Sequence, residues 1–128
     1  MSEFQGTNHF ISLQQAIDLT TRYRNEKEGL LKPENQGKGI LPICESFEKS
    51  AIESLLAESD CVALRVYFGM DVARLIRLVV VGVNSNDEDI LPDGQSASIS
   101  TTSDDGQIVE DGIRCPTICP PPSPLNGG

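Results

Sequence analysis

The run Arg74-Leu75-Ile76-Arg77-Leu78-Val79-Val80-Val81-Gly82-Val83 is apolar on both faces from Leu78 onward, and no other stretch of the chain restricts its folding more. A strand with one wet side alternates polar and apolar residues, so a strand without that alternation is covered on both sides. Just upstream, Cys61-Val62-Ala63-Leu64-Arg65-Val66-Tyr67-Phe68 does alternate. Val62, Leu64, Val66 and Phe68 fall on one face and Ala63, Arg65 and Tyr67 on the other. Gly69-Met70-Asp71-Val72-Ala73 joins the two runs, which predicts a β-hairpin. A two-stranded hairpin is not stable alone in water. Phe10-Ile11 and Gln107-Ile108-Val109 are the candidates for additional strands.

Two helices are expected before the hairpin. Ser12 and Gln15 form a capping-box pattern, and Leu13, Ala16, Ile17, Thr20 and Tyr23 recur at helical spacing, predicting a helix from about Leu13 to Glu28 that Gly29 ends in a left-handed conformation. Residues 32–39 read as a loop. Phe47, Ala51, Ile52, Leu55 and Leu56 form the stripe of a second helix, ending near Glu58 and started by Pro42 in its first turn or by Ser46 as a cap.

The expected fold class is therefore α+β, with the two N-terminal helices packed on a small antiparallel sheet centred on the hairpin. The expected organisation is an α+β domain over 1–92, a flexible acidic loop over 93–106, and an edge strand with a Cys/Pro-rich tail over 107–128. A sheet this small keeps a second face, and Leu75, Val79, Val81 and Val83 are assigned to it. Another copy of the chain or the Pro-rich tail would cover it, and the copy is the simpler case, so a homo-oligomer is expected.

Net charge is −9 in 128 residues. Residues 84–128 hold eight acids against Arg114 alone, whereas residues 1–83 are close to balanced. A chain of this sign is repelled by phosphate backbones, and no basic face offsets it, which argues against nucleic acid as a partner. No apolar run approaches the roughly 18 residues of a membrane span, and the first residues carry neither a basic nor an apolar leader segment. No membrane partner and a cytoplasmic location are the expectation.

The last fourteen residues hold two of the four cysteines and five of the eight prolines. Pro120, Pro121 and Pro122 have fixed φ and no backbone donor, so they should lie extended, and Pro121-Pro122-Ser123-Pro124 fits the PxxP spacing of polyproline ligands. The arginine that orients such ligands is not beside it. Cys115 and Cys119, spaced Cys-x₃-Cys, would make half of a zinc site, with Cys44, Cys61 or His9 needed to complete it. The plainer reading leaves Cys44 and Cys61 as small core residues and the tail pair free or bridged to each other.

Other motifs are weaker. A catalytic cysteine would need His9, the sole imidazole, as its base. Asn84-Ser85-Asn86-Asp87-Glu88-Asp89 lacks the glycine and terminal glutamate of a calcium loop and reads as a turn. Gly127-Gly128 matches the end of ubiquitin-like modifiers, but there a hairpin precedes the helix, and here two helices precede the hairpin.

Several segments together resemble a group of short bacterial proteins of uncharacterised function. They are Ile11-Ser12-Leu13 leading into Thr20-Thr21-Arg22-Tyr23-Arg24, Tyr67-Phe68-Gly69-Met70-Asp71, Asn86-Asp87-Glu88-Asp89-Ile90-Leu91-Pro92, and the tail from Cys115-Pro116 through Cys119-Pro120-Pro121-Pro122-Ser123-Pro124-Leu125-Asn126. The resemblance implies one compact domain and no particular chemistry. The functional expectation is a non-catalytic interaction or self-assembly protein without a cofactor, working through the hairpin surface and through Pro120, Pro121, Pro122 and Pro124. A small zinc-binding protein using Cys115 and Cys119, or a modifier ending in Gly127-Gly128, are the alternatives.

Overall fold

A computed structural model describes residues 8–92 and 107–127, and the architecture is α+β. In chain order the elements are α1 (Leu13–Glu26), β1 (Cys44–Ser46), α2 (Lys49–Leu56), β2 (Ala63–Met70), β3 (Ile76–Val83), β4 (Asp89–Ile90), β5 (Ile108–Val109) and β6 (Ile113–Cys115). The expected acidic loop 93–106 and Gly128 lie outside the described residues. The described chain forms two compact units. Among the described residues, a sheet unit holds 47–69, 77–92 and 107–112, and a ribbon unit holds 8–46, 70–76 and 113–127.

In the sheet unit β3 is central. It neighbours β2, pairs with β4 through Gly82↔Ile90 and Val83↔Asp89, and pairs with β5 through Val80↔Val109 and Val81↔Ile108. Ile108–Val109 is thus the additional strand its composition suggested, whereas Phe10-Ile11 is not in a strand. Leu55 of α2 and Val83 are fully buried, and Val80 and Val81 are each 3% exposed. Burying a valine stabilises by roughly 1.5–3 kcal/mol, so this cluster is where the unit gains most.

That burial corrects the assignment of Val81 and Val83 to a face awaiting a partner. Both are covered by their own chain, because β4 and β5 extend the sheet along the C-terminal half of β3 and α2 lies against β5. Leu75 and Val79 are half-buried. The closest packing is at Gly82, where a Cβ would stand 2.7 Å from Glu58 Oε1 and 3.1 Å from Cys61 Sγ. Only glycine admits that approach. Glu58 is buried, and its Oε2 accepts the Gln107 backbone N–H at 2.7 Å, which ties the exit of α2 to the start of β5.

α2 begins later than its apolar stripe suggests. Its N-cap is Glu48 without a side-chain cap, while Ser46, one expected cap, is the last residue of β1. Residues 44–46 pair with β6 instead of entering the helix.

In the ribbon unit α1 starts where its capping box requires: the Gln15 N–H donates to Ser12 Oγ at 3.1 Å and the Ser12 N–H to Gln15 Oε1 at 2.8 Å. Its end differs from expectation. Gly29 does not take a left-handed conformation; the helix tightens into a 3₁₀ turn, Lys27–Leu30. Glu28 Oε1 accepts the Gly37 N–H at 2.7 Å, and the next glycines with positive φ are Gly37 and Gly39, eight and ten residues later. None of the residues of α1 is buried. Tyr23 Oη donates to Pro42 O at 2.7 Å. The hairpin tip, 70–76, lies one step beyond the expected turn: the Asp71 N–H bonds Leu75 O, Asp71 Oδ1 accepts from the Ala73 and Leu75 N–H groups, and Arg74 takes φ 72°.

Candidate functional site

The tail begins as a strand. β6 pairs with β1 in the register Cys44↔Cys115, Glu45↔Arg114 and Ser46↔Ile113, and the Ile43 N–H bonds Cys115 O at 2.7 Å. A three-residue ribbon carries too little periodicity to be read from sequence. Arg114 locks it in place. This arginine is 7% exposed and donates through Nε to Ile76 O at 2.9 Å and through Nη2 to Gly39 O at 3.0 Å and Ile40 O at 3.2 Å. Nη1 reaches Pro116 O at 3.4 Å. Backbone carbonyl dipoles from loop, hairpin tip and tail thereby hold a buried cation. Tyr23 answers to the same site: burial pushes its phenol up, against the opposing pull of the Arg114 charge.

Cys115 is 2% exposed and is joined by a disulfide to Cys119, closing a loop of Pro116-Thr117-Ile118. This corrects the zinc reading of Cys115 and Cys119. Both sulfurs are already bonded to each other, and among the described residues no group of three or more His, Cys, Asp or Glu is gathered as a metal would need. Cys44 and Cys61 are free thiols, each half-buried. His9 is exposed.

Beyond the bridge the segment turns back on α1. Arg24 Nη1 donates to Leu125 O at 2.7 Å, Asn126 Nδ2 to Pro121 O at 2.9 Å, and the Ser123 N–H to Asn126 Oδ1 at 2.9 Å. Asn126 therefore clasps the proline run from within. Pro120, Pro121, Pro122 and Pro124 are all exposed and lie outside helix and strand, as their composition requires. The tail is anchored at both ends and open to solvent between them.

Within the sheet unit, β2 also presents apolar side chains to solvent. Phe68 is 79% exposed and Val66 47%, on the face opposite Arg65 and Tyr67. Those two polar residues meet the turn after β3: Arg65 pairs with Asp87 at 2.6 Å and with Asp89 at 2.7 Å, and Tyr67 Oη donates a short hydrogen bond to Asp89 Oδ2. Burial alone would push the Asp89 carboxyl up. The hydrogen bonds from Tyr67 and Arg65, with the Arg65 charge, outweigh it and hold the group below the usual aspartate value. The bond to Asp89 in turn raises the Tyr67 phenol. Reading the Asn84–Asp89 stretch as a turn is consistent with this geometry, and Asn84 Oδ1 accepts the Asn86 and Glu88 N–H groups within it. The cluster was not legible from spacing, because its partners stand 22 and 24 residues apart.

No protein family, curated protein or solved structure matches this chain. Among the described residues no helix is long and apolar enough to cross a membrane.

Proposed function

We propose that the chain is a non-catalytic protein-interaction module that displays its proline-rich tail to an aromatic-lined groove on another protein. The observation that carries this reading is the combination of exposure and anchorage. Pro120, Pro121, Pro122 and Pro124 are open to solvent, while the Cys115–Cys119 bridge and the Arg24 to Leu125 hydrogen bond restrain the segment on either side. A ligand held near its bound shape loses less entropy on docking. Titrating the ¹⁵N-labelled protein with isolated polyproline-reading domains tests it. Saturable shifts at Cys119, Ser123 and Leu125 are expected, and they should vanish in a Pro121→Ser/Pro124→Ser variant whose unfolding midpoint is unchanged. Absence of shifts across a broad panel of such domains would remove the reading.

Self-assembly is the second reading, and it now rests on Phe68 and Val66 of β2, with the buried Val81 and Val83 no longer contributing. An exposed apolar strand surface is a usual site of association. Light scattering over a dilution series should give a mass that falls with concentration, and Phe68→Ser should shift it to the monomer. A monomer at every concentration would exclude it.

A further inference from the structure

We propose that Cys44, Cys115 and Cys119 form a thiol–disulfide exchange site that passes the bridge between two partners of Cys115 and exposes Cys119 to soluble disulfides. The register carries the argument. Cys44 stands directly opposite Cys115 in the β1–β6 ribbon, so their side chains share a face. Directly opposed residues of antiparallel strands have Cα atoms about 4.5–5.5 Å apart, within the roughly 4.4–6.8 Å that a disulfide spans. Cys44 is a free thiol, and the sulfur it faces is already half of a disulfide. A thiol beside a disulfide is the reactant pair of exchange chemistry.

The step balances internally. The Cys44 thiolate attacks Cys115 Sγ, the Cys44–Cys115 bond forms, and the Cys115–Cys119 bond breaks. The electron pair of the broken bond leaves on Cys119 Sγ, which takes up from solvent the proton that Cys44 released. One disulfide and one thiol stand on each side, so neither oxidant nor reductant is consumed. Cys115 is buried and keeps a bridge throughout, while Cys119 is exposed. The thiolate released there can attack a solvent-borne disulfide, forming a mixed disulfide as the second sulfur departs as a thiolate. The site goes beyond the display of prolines and does not depend on it: loss of partner binding would leave the exchange intact.

Trypsin makes the two bridges distinguishable, since it cuts after Lys38, Lys49 and Arg114. The Cys115–Cys119 bridge stays within the peptide 115–128, whereas the exchanged bridge joins 39–49 to 115–128. The wild-type chain, incubated with oxidised glutathione and no reductant and then acid-quenched, should carry glutathione on Cys119 together with the 39–49 to 115–128 crosslink. In Cys44→Ser, the Cys119 adduct should fall by at least about tenfold. A second variant, Cys119→Ser, should trap the Cys44–Cys115 bridge on oxidation. Glutathione confined to Cys44 and Cys61 in the wild type, or equal Cys119 labelling with and without Cys44, would overturn the proposal.

Discussion

Arg114 is buried and Asp89 half-buried, and each is held by several specific partners. Arg114 spreads its guanidinium over Ile76 O, Gly39 O, Ile40 O and Pro116 O, and lysine, with one nitrogen at the end of a flexible stem, cannot reach that set of acceptors. Arg114→Lys should lower stability by about 2 kcal/mol, since it leaves buried carbonyls unpaired; the measurement is the urea midpoint at constant slope. Asp89 gives a pH signature. Its folded carboxyl is held below the ordinary value, so the stabilisation is complete above the unfolded pKa of about 3.9 and is lost as pH falls through that value to the lower folded one. Wild type should therefore be more stable than Asp89→Asn at neutral pH, and the difference should shrink below about pH 4. An offset that stays constant over that range would show that Asp89 acts through shape and not charge. Neither residue's role was readable in the sequence. Arg114 lies alone in an acidic stretch, and its acceptors are carbonyls that any residue type supplies.

At the scale of elements, what was legible depended on how locally each element is specified. The start of α1 is set by Ser12 and Gln15, three residues apart, and both capping hydrogen bonds form. Ser12→Ala should lower stability by about 1 kcal/mol and fray the first turn, which circular dichroism through the unfolding transition can follow. The hairpin was equally legible, because two long apolar runs around a turn have one economical pairing. The short strands were less so. Ile108-Val109 stood out as a candidate, but β1, β4 and β6 are two or three residues each, below the length at which alternation becomes a pattern, and β1 and β6 pair from opposite ends of the chain. The exit of α1 failed for a related reason: Gly29 looks like a helix terminator, but Glu28 reaches the Gly37 N–H, and the chain can turn without a left-handed residue at 29.

Across the molecule, the tail divides into a part that belongs to the fold and a part that is presented by it. Cys115 is buried in the β1–β6 ribbon, whereas Pro120–Pro122 and Pro124 are exposed. Ending the chain after Arg114 should unfold the ribbon unit or lower its melting temperature sharply. Ending it after Cys119 should change stability by less than about 1 kcal/mol, the scale of the few hydrogen bonds removed; differential scanning calorimetry of both truncations is the check. The amino-acid sequence by itself determined the fold class, the hairpin, the capped start of α1 and the irregular proline run, because each follows from residues close along the chain. Only tertiary structure decided which apolar residues remain open, since covering Val81 and Val83 takes β4 and β5 on β3, and a two-residue strand does not specify which neighbour it joins. It alone also set Cys44 opposite Cys115, because register is fixed by pairing across 71 residues and leaves no trace in either segment.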